Sequence, residues 1–202
     1  AALRERQEKN ERLDKMKQIL TALRIQAKDN NEAEALFYEK IKKDQIINSA
    51  GEVLAEEGGF EIDVKKELAK SLENRQLPLY LCEIDGETKY VLPLYGAGLW
   101  GAIWGYVALD EDKDTVYGVY FSHESETPGL GAEIADSHFQ SNFQGRRLMK
   151  GDDIGLSVVK AGRVSDATYQ VDGITGGTIT SNGVDDMLKN CLSQYHDFLT
   201  AK

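Results

Sequence analysis

Leu77-Pro-Leu-Tyr-Leu-Cys-Glu-Ile-Asp-Gly-Glu-Thr-Lys-Tyr-Val-Leu-Pro-Leu94 is the stretch whose reading decides the fold. Two runs rich in Leu, Tyr, Val and Ile, 77–84 and 88–94, flank Asp85-Gly86, a dipeptide that accepts the left-handed backbone of a two-residue hairpin turn. The pattern repeats downstream, where Ala102–Leu109 and Thr115–Ser122 flank the charged turn Asp110–Asp114. From Tyr90 to Leu109 no residue is charged, and Gly101-Ala-Ile-Trp-Gly105 adds a small-xxx-small spacing, so the segment imitates a transmembrane helix. Pro93, Gly96, Gly98, Gly101 and Gly105 oppose a helix there, and the aromatic and β-branched residues suit strands. The segment therefore reads as two buried strands around a glycine-rich bend.

Outward from this core the pattern becomes helical. Residues 3–28 are dense in charge, with Leu13, Met16, Leu20 and Leu23 forming a narrow apolar seam. Such a stem packs on the domain, meets a partner or leads up from a membrane anchor. A second helical run is expected over 32–48, a short helix over Ala132–Phe143 and a strand over Gly155–Lys160. Near the C-terminus Val184, Met187, Leu188, Cys191, Leu192, Tyr195, Phe198 and Leu199 predict one unbroken helix. Asn182 with Asp185 resembles its capping box. Helices and strands are segregated along the chain, which predicts an α+β fold with a mainly antiparallel, twisted sheet and helices packed on it.

The 202 residues suffice for one domain, or one domain with a small appendage. A net charge of −10 argues against nucleic acid as a partner and against docking on an anionic membrane surface. Cys82 and Cys191 lack metal-ligand spacing, so no metal site is expected; Cys191 lies on the helical core stripe and reads as a buried thiol, with a disulfide to Cys82 left open. The chain opens Ala1-Ala2 without Met or an apolar leader and reads as the remainder after a targeting segment is removed.

Several motifs promise more than they deliver. Gly96-Ala-Gly-Leu-Trp-Gly101 spells G-x-G-x-x-G, but a strand rather than a helix follows it, which excludes a dinucleotide fold. There is no G-x-S-x-G and no H-E-x-x-H; His138 and His196 fall on polar helix faces. Two glycine-punctuated loops remain. His123-Glu-Ser-Glu-Thr-Pro-Gly-Leu-Gly131 contains a Pro-Gly pair suited to a type II turn. Asp172-Gly-Ile-Thr-Gly-Gly-Thr178 leads into the last helix, whose free N–H groups and positive dipole end favour an anion. Gly176 and Gly177 clear space there, and Thr175, Thr178, Thr180 and Ser181 offer hydroxyls, yet no Lys accompanies them as in a Walker loop. The residues point to a phosphate-bearing ligand without a cationic clamp.

Asp172–Thr178 resembles the D-x-x-[ST]-G-A-T signature of bacterial proteins carrying covalently bound FMN, with Gly177 where Ala is usual. His123–Gly131 is similar to the H-x-x-E-T-P-G-L-G segment of the same family. Leu94–Gly101 and the stem Asn10–Leu20 resemble the C-type subunits of the Na+-translocating NADH:quinone oxidoreductases more than the G-type subunits of the related Rnf complex. The resemblance implies an FMN-binding domain over 29–202 and a stem helix over 1–28 that follows a removed membrane anchor. It implies FMN esterified through its phosphate to Thr178, with Thr180 the neighbouring hydroxyl open to confusion. It places Glu126, Thr127, Leu130, Gly131, Trp100 and Gly98 around the flavin, with Asp172, Thr175, Gly176, Gly177 and Thr180 in the attachment loop. It further implies an electron relay among the other subunits of a sodium-pumping membrane complex and maturation by a flavin transferase. The place implied is the periplasmic side of the bacterial inner membrane. The alternatives are an Rnf-type electron-transport protein, a stand-alone extracytoplasmic reductase domain, a phosphate- or flavin-binding module that carries no electrons, or a purely structural protein that binds a partner through the stem helix.

Overall fold

A computed structural model describes residues 1–201. Six strands form one antiparallel sheet in the order β2-β1-β3-β4-β5-β6. They are β1 (Ile41–Ile47), β2 (Val53–Ala55), β3 (Leu77–Ile84), β4 (Glu87–Ala97), β5 (Ala102–Leu109) and β6 (Val116–His123). The first hairpin closes as the sequence predicts: Ile84 pairs with Glu87, and Asp85 (φ 52°) and Gly86 (φ 80°) are both left-handed. In the next pair the register runs from Tyr90 opposite Leu109 to Ala97 opposite Ala102.

Alternate side chains leave the sheet on opposite faces. Leu92, Leu94, Ile103, Val107 and Phe121 enter one core, and Tyr80, Ile84, Val91, Tyr106 and Ala108 enter a second. The second core is covered by α1 (Ala2–Ala22) and α2 (Asn30–Lys40). The first is covered by α5 (Thr178–Ser193), α6 (His196–Thr200) and parts of the segment between β6 and α5. That segment holds α4 (Ser137–Ser141), the short pair β7 (Met149–Lys150) and β8 (Asp153–Ile154), and β9 (Ser157–Val159) parallel to β10 (Gln170–Asp172). One turn of helix, α3 (Val64–Leu68), precedes β3. Because both faces are covered, the central strands need no polar side, which explains the uncharged run from Tyr90 to Leu109. Among the described residues no helix is long and apolar enough to cross a membrane.

The α+β expectation holds, and the apolar seam of the first helix is buried at Leu13, Met16, Leu20 and Leu23. Its C-terminal end presses on β6, where a Cβ on Gly118 would stand 2.3 Å from the Ala22 carbonyl oxygen. Three expectations need correction. The helical run over 32–48 stops at Lys40, because β-branched Ile41, Ile46 and Ile47 extend along β3 as β1. The last helix begins a turn earlier than its apolar stripe, so Asn182 lies inside it; Asp185 instead accepts from Val158 N–H at 2.9 Å and pins β9. That helix also breaks at Gln194–Tyr195, where the buried Tyr195 hydroxyl donates to the Pro78 carbonyl at 2.6 Å. Cys82 and Cys191 are free thiols in the two different cores, with the sheet between them. Burial pushes the Cys191 thiol up to about 11.

This packing sets two expectations for stability. Leu20→Ala should cost about 2–5 kcal/mol in chemical denaturation, whereas the exposed Leu3→Ala should stay within about 0.5 kcal/mol, since only the second half of α1 belongs to the core. In the β5–β6 turn, Asp112 accepts from Thr115 Oγ1 (2.6 Å) and from the N–H groups of Asp114 and Thr115. Partial burial opposes its charge, but these bonds prevail and hold its carboxyl below the usual range. A depressed folded value stabilises above the ordinary aspartate range and is lost as pH falls through it. The stability gap between wild type and Asp112→Asn should therefore be full at neutral pH and shrink on acidification in urea melts.

Candidate functional site

The site lies at one end of β5, where the β4–β5 connection, the segment after β6 and the start of α5 converge. The β4–β5 connection closes on itself through Gly98 N–H to the Gly101 carbonyl at 2.8 Å, which pushes Leu99 and Trp100 outward. After β6 the chain turns at His123, whose Nδ1 accepts from Glu126 N–H at 3.1 Å. Thr127-Pro-Gly-Leu130 then forms the expected turn: Leu130 N–H reaches the Thr127 carbonyl at 3.1 Å, and Gly129 has φ 75°.

Glu126 is the buried charge at this junction. Its Oε1 accepts from Leu99 N–H (2.7 Å) and from the Thr180 hydroxyl (2.6 Å), and its Oε2 from Trp100 N–H (2.8 Å). Two glycines admit this arrangement. A Cβ on Gly98 would sit 2.2 Å from Glu126 Oε1, and one on Gly131 would sit 2.3 Å from Thr180 Oγ1. Burial raises the cost of the Glu126 charge, but the Thr180 hydroxyl and the Trp100 and Leu99 amides outweigh it and hold the carboxyl below its usual value.

The loop leading into α5 is equally ordered. Ile174 N–H donates to Ser181 Oγ at 2.9 Å, Gly177 N–H reaches the Ile174 carbonyl at 3.0 Å, and Gly176 has φ 78°. The cap position of α5 is Gly177, which offers no side-chain acceptor to the first turn. The leading N–H groups of α5 thus have no side-chain cap, an arrangement that favours an anion at a helix start. Thr178 is the first helical residue and is exposed, whereas Thr180 is 2% exposed.

Between these segments runs an open groove of about 250 Å³. Trp100, Thr127, Leu130 and Gly131 line one part, and Gly176, Gly177, Thr178 and Thr180 the other. Leu99 and Ile179 complete it, and neither stands out in the sequence as a site residue. Ile179 did carry a signal, since it stands off the apolar stripe of α5 between two threonines. With Trp100 and Leu130 these two form an apolar rim that stays 42–66% exposed, a concentration of bare hydrophobic surface that marks a ligand or partner site. Glu126 and Gly98 stand behind the wall rather than on it. Thr175 is exposed outside the lining, and Asp172 ends β10 and accepts from Gly162 N–H at 2.8 Å.

Among the described residues no Lys, Arg, His, Asp or Glu lines the groove, and no cluster of three His, Cys, Asp or Glu is placed to hold a metal ion. The arrangement suits a flat aromatic group against the rim with its phosphate at the α5 start, so the residues present fit FMN. A model of the FMN-binding domain matches residues 98–193, which contain every segment of the groove. The C-type subunit of the Na(+)-translocating NADH-quinone reductase of Haemophilus ducreyi is 31% identical in an alignment covering 93% of this chain and 79% of that protein. Its counterpart in Pasteurella multocida is 32% identical, over 90% of this chain and 77% of its own. The crystal structure of the Parabacteroides distasonis counterpart superposes with a TM-score of 0.92 at 43% identity, covering 99% of this chain and 98% of that one. Shewanella oneidensis NqrC gives 0.78 at 26% identity, covering 96% and 100%. Sequence, fold and groove thus agree that the chain belongs to the NqrC family, the C-type subunits of the Na(+)-translocating NADH-quinone reductases, built on an FMN-binding domain.

Proposed function

We propose that this chain is the electron-relay subunit of a sodium-translocating NADH:quinone reductase and carries FMN esterified through its phosphate to Thr178. The observation that carries the attachment is the difference between neighbouring hydroxyls. Thr180 donates its proton to Glu126, and Ser181 is buried against Ile174 N–H. Thr178 is exposed in the groove with no hydrogen-bond partner for its hydroxyl among the described residues. Its position at the start of α5 brings an esterified phosphate to the free N–H groups and the positive dipole end.

When bound, FMN would supply the reversible electron transfer; the chain would supply attachment and orientation. Leu99, Trp100, Leu130 and Ile179 would hold the ring, and because no charged side chain among the described residues lines the groove, backbone dipoles would tune its electronics. A threonine hydroxyl is a weak nucleophile, and among the described residues no base lines the groove to activate it. This supports maturation by a separate flavin transferase. We read residues 29–202 as the cofactor domain and 1–28 as a stem whose second half is built into it. On this reading the domain sits on the periplasmic side of the inner membrane, among the other subunits of the complex, tethered by a segment outside this sequence.

Co-expression with a flavin transferase should give a chain that fluoresces on a denaturing gel and whose flavin maps to the 178 peptide. Thr178→Ser should keep the label and Thr178→Ala should lose it; flavin retained by the Ala variant would end this assignment. Trp100→Ala should leave stability within about 0.5 kcal/mol, yet make the flavin of the loaded chain more accessible to iodide quenching.

A further inference from the structure

The geometry points to Glu126 as the positioning residue of the groove, a carboxylate that touches no ligand but fixes the Leu99–Trp100 wall to the start of α5. The inference rests on the FMN reading above only for what the groove holds. The positioning itself is visible in the chain.

Three donors from two distant segments meet on one side chain. Leu99 and Trp100 lie 27 and 26 residues before Glu126, and Thr180 lies 54 after it. Beyond the loop's own Gly98–Gly101 bond, the two apolar residues of the protruding tip have, among the described residues, no other hydrogen bond to the body of the fold. Glu126 is itself aimed from behind, because His123 Nδ1 takes its backbone N–H. The bare glycines at 98 and 131 are the space this junction occupies, since a methyl group at either position would collide with the carboxylate or with the threonine bound to it. The same bonds occupy the Thr180 hydroxyl and leave Thr178 the presented one. A merely structural buried carboxylate would stabilise the whole fold; a positioning one sets where Trp100 stands relative to Thr178, two residues from the clamped threonine.

The two roles separate by amide hydrogen exchange on the flavin-free chain, comparing wild type, Glu126→Gln and Glu126→Ala. Bonds to a charged acceptor are worth enough that the Leu99 and Trp100 amides should exchange about tenfold faster or more in Glu126→Ala, with Glu126→Gln between. The amides of Leu92 and Val107, inside β4 and β5, should keep their wild-type rates. In the flavin-loaded chains, iodide quenching of flavin fluorescence should rise in the same order with the label still on the 178 peptide. Unchanged Leu99 and Trp100 rates, or equal acceleration of every amide, would overturn the inference. Should Glu126→Ala not yield folded protein, Thr180→Val releases the clamp from the helix side and must loosen the same two amides. A wild-type chain without flavin at residue 178 would defeat the attachment reading, while the exchange rates would still decide the role of Glu126.

Discussion

The pairing of β4 with β5 places an uncharged strand pair in the middle of the sheet, with apolar side chains leaving on both faces. Neither face tolerates water, so each must be covered, and the rest of the chain is arranged to do so. The stem and second helix lie over one side, and the C-terminal helices with the long connection after β6 lie over the other. Burial at about 25 cal/mol per Å² of apolar surface favours this closure. It also fixes the functional geometry, because the connection between these two strands emerges at the sheet end as a short glycine loop with a rigid base. Gly105 marks how tight the centre is: a Cβ there would stand 2.0 Å from the Tyr120 carbonyl oxygen on the adjacent strand.

Much of this was legible in residues 77–122, where turn dipeptides and strand-forming runs act locally and leave a clear pattern. The extent of helices was less so. Ile41, Ile46 and Ile47 are compatible with either state, and pairing with β3, joined by β2 at Ile46 and Ile47, decides for strand. The break at Gln194–Tyr195 is invisible in the apolar periodicity because it depends on the Tyr195 hydroxyl finding the Pro78 carbonyl, a contact between residues 117 apart. The capping box at Asn182 failed for a related reason: glycine at the true cap leaves the helix start open and gives no polar signal.

The candidate site was legible as two loops and not as one groove. Glycines, threonines and a helix start are local features, so residues 123–131 and 172–178 could be found separately. What joins them is Glu126, whose three partners come from elsewhere in the chain, and spacing cannot show that a carboxylate faces inward. Leu99 and Ile179 escaped for the opposite reason. An exposed leucine or isoleucine carries no meaning alone, and gains one only beside Trp100 and Leu130.

The open, uncharged lining has a thermodynamic consequence under the proposed attachment. An open groove whose described lining carries no cation has little with which to retain a free mononucleotide against dilution. An ester to Thr178 changes the problem, because docking of the ring becomes an intramolecular event at an effective concentration on the order of millimolar. Retention then belongs to a covalent bond, and the groove is free to leave one edge of its occupant bare. Such a carrier trades enclosure for access, which suits a group that must pass electrons onward more than one that must transform a substrate.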